Sequence, residues 1–68
     1  MTIQVRLNGH VRELADGSTV VQAVAALTDA RTGVAAALNG DVVPRGSWAA
    51  TALTDGDQVE VVTAVQGG

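Results

Sequence analysis

Residues 18–30 read STVVQAVAALTDA, and this stretch decides how the rest of the chain is arranged. Thr19 followed three positions later by Gln22 fits a reciprocal cap, in which each side chain satisfies a backbone N–H at the start of a helix. Val20, Val24 and Leu27 then fall at i, i+4 and i+7 and form one apolar stripe. Val20 and Val21 are β-branched and mildly resist helix, so packing against a neighbour has to outweigh that preference. The reading is a helix over about residues 20–29, with Leu27 in the core and Gly33 marking the end of the following turn.

Working outward, both flanks read as strands. Before the helix, MTIQVRL alternates: Ile3, Val5 and Leu7 point one way while Thr2, Gln4 and Arg6 point the other. Asn8-Gly9 supplies the pair suited to a two-residue hairpin turn, where both central positions need positive φ. The return strand runs from about His10 to Leu14 and stops at ADGS. After the helix, Val34 to Leu38 reads as a strand, Asn39-Gly40 as a second tight turn and Asp41 to Val43 as a short return. Pro44 cannot donate to a sheet ladder and places that strand at an edge or at its end.

The stretch RGSWAATAL, residues 45–53, has no clear period and reads as irregular or as a short helical turn. Trp48 within it is a core or core-edge residue, covering the open end of a core of small side chains. Asp55-Gly56-Asp57 is a turn. Gln58 to Val65 alternates again, with Val59, Val61, Thr63 and Val65 on one face and Gln58, Glu60, Val62 and Ala64 on the other. The order β-β-α-β-(β)-β is an α+β pattern, with one main helix over a mixed four- or five-stranded sheet. That is the β-grasp arrangement. The first and last strands can pair in parallel at its centre, because a right-handed crossover through the helix is allowed.

Composition narrows the function. The 68 residues suit one domain, 1–68, with residues 66–68 as a flexible tail. Ala and Val dominate an apolar fraction of 47%, and Trp48 is the only aromatic residue, so the core buries modest area. Cysteine is absent, which removes disulfides, thiolate metal sites and thiol nucleophiles. The net charge is −3, and Arg6, Arg12, Arg31 and Arg45 are scattered, which argues against nucleic acid as a partner. No lysine occurs. Apolar runs such as Val34 to Leu38 are far too short to span a bilayer. Met1 leads straight into a strand pattern without a signal peptide, so the expectation is a cytoplasmic protein.

No catalytic residue is expected. His10 lies near Asp16 and Ser18 in sequence, but a single histidine after a hairpin turn is most simply exposed. Asp55 and Asp57 flank Gly56 without the further ligands a Ca²⁺ loop needs, so no metal site is expected. The outward face of the last strand is more informative. Val62 and Ala64 are apolar on the side turned away from the core, and with Ala35 and Ala37 they can form a shallow docking patch. Equally, small apolar residues are tolerated on a surface without serving any purpose.

The end of the chain, Gln66-Gly67-Gly68, reads either as a frayed terminus or as a tether. A terminus that enters a narrow active site in extended form benefits from lacking side chains. The reacting group would then be the carboxylate of Gly68, with Gly67 and Gln66 recognised as the tail. A carboxylate is a poor acyl donor until it gains a better leaving group, and adenylation by ATP installs one. That chemistry needs Mg²⁺ and positioned cations, for which this chain offers no site. The tail is on this reading a substrate of other enzymes.

From Ala37 onward, ALNGDVVPRGSWAATALTDGDQVEVVTAVQGG resembles the ThiS-type sulfur carriers of thiamine thiazole biosynthesis, which are ubiquitin-like β-grasp proteins. The resemblance rests on Val43, Pro44, Arg45 and Trp48, on the Asp55-Gly56-Asp57 turn and on Gly67-Gly68. It extends to the MTIQVRLNG start and to the helix opening GSTV. It implies a non-enzymatic carrier that binds no cofactor itself. An E1-like adenylating enzyme of the ThiF type would use ATP and Mg²⁺ on Gly68. A sulfur donor protein would convert the adenylate to a thiocarboxylate, and a ThiG-type thiazole synthase would accept the sulfur. The small subunit of molybdopterin synthase shares this fold and tail, but its members are usually longer and carry aromatic residues that this chain lacks. A carrier for cysteine biosynthesis or tRNA thiolation would also end in this tail. So would a β-grasp interaction module whose terminal glycines are idle.

Overall fold

The computed structural model describes residues 1–29 and 33–63. Strand β1 (Thr2–Leu7) and strand β2 (His10–Ala15) form the first hairpin, and helix α1 (Val20–Leu27) follows. Strands β3 (Val34–Leu38) and β4 (Asp41–Val43) form a second hairpin; a 3₁₀ turn over Arg45–Ala50 leads toward β5 (Gln58–Thr63). The five strands make one sheet in the order β2-β1-β5-β3-β4. β1 and β5 run parallel, and the other pairs are antiparallel. The mixed sheet, the single main helix and the parallel central pair are as the sequence pattern predicts.

Both hairpins turn on Asn-Gly. Asn8 and Gly9 have φ of 50° and 85°, and Asn39 and Gly40 have φ of 50° and 91°. Two successive positive φ values give the backbone twist that matches flanking strands, and asparagine tolerates that region better than any branched residue. The capping box at the head of α1 is present: the Thr19 N–H donates to Gln22 Oε1 at 2.6 Å. The helix is shorter than its sequence suggests. Thr28 is its C-cap and is already extended, at φ −155° and ψ 150°, and its N–H closes the last turn on the Val24 carbonyl.

The core lies between α1 and one face of the sheet. Ile3, Val5 and Leu7 of β1 and Val59 and Val61 of β5 are buried against Val20, Ala23 and Val24 of the helix. Leu27, expected in the core, is only half-buried and packs on its rim; Ala23 takes the inner position instead. The inward face of the helix is thus Val20, Ala23 and Val24, with Leu27 at its edge. Trp48 is buried as expected, and its indole N–H donates to the Val43 carbonyl at 2.8 Å. Leu53, which no periodicity marks, is buried as well. Its segment crosses beneath the start of α1, where the Val20 N–H donates to the Thr51 carbonyl and the Leu53 N–H donates to the Ser18 carbonyl.

Candidate functional site

Of the residues singled out in the sequence, Ala64, Gln66, Gly67 and Gly68 lie outside the described residues. What leads into them is described closely. β5 sits between β1 and β3, and its last residues pair with β3 as Ala35↔Val62 and Val34↔Thr63. The strand that continues into the C-terminal segment is therefore the central strand of the sheet. Its inner face is anchored by two buried valines, Val59 and Val61.

The outer face of the same strand carries the expected patch. Val62 stands opposite Ala35, Glu60 stands opposite Ala37, and Ala37 is in turn opposite Val42 of β4. Val62 is 65% exposed and Val42 77%. Together these residues line a shallow depression of about 180 Å³. Val62, Ala35 and Ala37 thus come together on one face as the alternation suggested. Val42 is an addition: three residues of return strand reveal no alternation, but the register places it outward. Among the described residues Glu60 supplies the one charge in this depression, on an otherwise apolar lining.

His10 is exposed at the start of β2, and Asp16 and Ser18 lie beyond the other end of that strand. They form no constellation with it. Among the described residues there is no group of three or more His, Cys, Asp or Glu side chains placed to hold a metal ion. Asp55 and Asp57 are occupied with the backbone instead. Asp55 Oδ1 accepts from the Gln4 N–H at 2.7 Å, and Asp57 Oδ2 accepts from the Thr54 N–H at 2.8 Å. The backbone bond from Thr54 and the amide of Asn39 hold the Asp57 carboxyl below the ordinary carboxylate range, against a smaller opposing effect of burial.

A second concavity lies on the helix side, between α1 and the 3₁₀ turn, with a volume of about 540 Å³. Val21, Val24, Ala25, Trp48 and Ala49 form its apolar lining. Arg45 lies over the Trp48 ring, with its guanidinium carbon 5.2 Å from the ring centroid, a cation–π contact. The Val-Pro-Arg-x-x-Trp segment is thereby a structural corner: Val43 and Trp48 close the core while Arg45 covers the indole. None of the described helices is long and apolar enough to cross a membrane.

Comparisons with known proteins agree on one family. A model of the ThiS family matches residues 5–68. The chain is 33% identical over 66 residues to the sulfur carrier protein ThiS of Escherichia coli K12, an alignment covering 97% of this chain and all of that protein. It is also similar to the crystal structure of the thiamine biosynthesis protein ThiS from Geobacter metallireducens. That match has a TM-score of 0.77 and 32% identity, and covers 97% of this chain and all of the other. With the β-grasp sheet, the Asn-Gly hairpins and the tryptophan corner already in place, this agreement over nearly the whole length shows that the chain belongs to the ThiS family.

Proposed function

We propose that this chain is a sulfur carrier protein of thiamine biosynthesis, and that the carboxylate of Gly68 is the group that carries the sulfur. The observation supporting this most directly is the family match, which runs through residue 68 and so includes the two glycines. In the first step a carboxylate oxygen attacks the α-phosphorus of ATP and pyrophosphate leaves. In the second, sulfide sulfur from a donor protein attacks the acyl carbon and AMP leaves, giving the thiocarboxylate. Thiazole synthase of the ThiG type then takes the sulfur, and an oxygen atom from the acceptor's carbonyl or from water replaces it at the acyl carbon, which restores the carboxylate.

The catalytic groups, the ATP and the Mg²⁺ of the first step belong to an E1-like enzyme of the ThiF type, and this chain acts as its protein substrate. What the chain itself contributes is presentation. A core-anchored central strand leads to a segment ending in glycines, which lets a partner close on the backbone without meeting side chains. The patch of Val62, Ala35, Ala37 and Val42, together with Ala64, is the face on which that partner docks. Such chemistry takes place in the cytoplasm.

Intact-mass measurement tests the reading. After incubation with the activating enzyme, MgATP and a sulfide source, the chain is expected to gain the mass difference between one sulfur and one oxygen atom. The gain should vanish when Gly68 is deleted. No gain in the full chain, or the same gain without Gly68, refutes the proposal.

A further inference from the structure

The two Asn-Gly turns do more than reverse the chain, and they do it at opposite ends of β5. β1 pairs with β5 at only two rungs, Arg6↔Gln58 and Leu7↔Val59. The Arg6 N–H donates to the Asp57 carbonyl at 2.9 Å, and the Asn8 N–H donates to the Val59 carbonyl at 3.0 Å. β1 then turns away, while β5 runs on to Thr63. In a continued parallel ladder the Val61 N–H would reach the main-chain carbonyl of residue 8, and the Val61 carbonyl would accept from the N–H of residue 10. The Asn8 carboxamide replaces both. Its Oδ1 accepts from the Val61 N–H at 2.7 Å, and its Nδ2 donates to the Val61 carbonyl at 3.0 Å.

Asn39 is the counterpart on the other side. Its Oδ1 accepts from the Gln58 N–H at 3.0 Å, its N–H donates to the Gln58 carbonyl at 2.7 Å, and its Nδ2 donates to Asp57 Oδ1 at 3.1 Å. Asn39 thus holds the head of β5, and Asn8 holds its β1 side at Val61, two residues before Thr63 ends the pairing with β3. On the β1 side no rung follows Val61 among the described residues, so Asn8 is the last grip on that edge.

From this geometry we infer that Asn8 is a positioning residue for sulfur loading and delivery: its carboxamide fixes the β1 side of β5 at Val61, just before the strand's last pairs with β3. The inference rests on the carrier reading above. Asparagine is suited on three counts. It accepts the φ of +50°, it offers donor and acceptor together, and its side chain is short enough to stand in for a peptide group. Aspartate would lose the donor and turn a carboxylate toward the Val61 carbonyl.

The test uses the internal counterpart as its control. Asn8→Gly and Asn39→Gly both keep the positive φ and both remove a carboxamide clamp from β5. Two readouts are taken well below each variant's unfolding midpoint. Amide exchange at Val61 is expected to speed up about 5-fold or more in Asn8→Gly and to change little in Asn39→Gly, the loss of one net hydrogen bond being worth about that factor. For activation by the adenylating enzyme, kcat/KM is expected to fall several-fold in Asn8→Gly and less than about 2-fold in Asn39→Gly, and Asn8→Asp should behave like Asn8→Gly. Equal losses of kcat/KM in the two glycine variants would make Asn8 a purely structural residue. An unchanged kcat/KM alongside faster exchange would show that the clamp exists but does not guide the tail. If the wild-type chain itself is not activated, the carrier reading and the delivery role fall together, while exchange at Val61 still decides whether the clamp operates.

Discussion

Asp57 joins two turns that lie 18 residues apart in sequence, through its bond from Asn39. Its folded-state pKa lies below the unfolded value because the ionised form accepts the Thr54 N–H and the Asn39 amide. A group lowered in this way stabilises the fold above its unfolded pKa and loses that contribution as pH falls through the folded value. Asp57→Asn should therefore be less stable than wild type at neutral pH, and should lose less melting temperature on acidification to about pH 3. Parallel acid curves for the two proteins would show that other carboxylates govern the acid response. The sequence identified Asp55-Gly56-Asp57 as a turn and both Asn-Gly pairs as hairpins, since those roles depend on local backbone conformation. It said nothing of where the carboxyl and carboxamide groups point. Asn8 meets Val61 across 53 positions, and only the register of β1 on β5 brings them together.

At the level of elements, burial separates two leucines of the same size. Leu7 in β1 is fully buried, whereas Leu27 at the end of α1 is half-buried. Leu7→Ala should cost about 2–5 kcal/mol. Leu27→Ala should cost about 1 kcal/mol, because part of its side chain already meets water. Denaturant unfolding of the two variants checks this, and equal losses would mean that the helix is seated on Leu27 after all. The position of α1 was legible from its capping box and its valines, but its rotation was not. An inward alanine among outward alanines gives no contrast in a hydrophobic pattern, so Ala23 could not be told from Ala25. The 3₁₀ turn was legible only as one of two readings, irregular or a short helical turn, because its bonds, such as Ser47 N–H to the Pro44 carbonyl, span three residues and leave no 3.6-residue stripe.

Across the whole molecule, the apolar surface is divided between a packed face and a presented one. If the presented face receives the activating partner, Val62→Asp should raise KM for activation while shifting stability by less than about 1 kcal/mol, since Val62 is already largely in water. Unaltered activation kinetics would remove that face from the docking surface. Its core was legible in the alternation of the last strand, and its full extent was not, because Val42 joins it only through the pairing of β4 with β3. The placement of β5 has a consequence for how the sheet is joined. Among the described strands the central one comes last in chain order, so a chain cut before Gln58 leaves β1 and β3 with no partner between them. Such a fragment adds open edges at β1 and β3 to those at β2 and β4, lacks Val59 and Val61 from its core, and is exposed to proteases. The two hairpins are thereby joined into one sheet only through the strand that leads into the C-terminal segment.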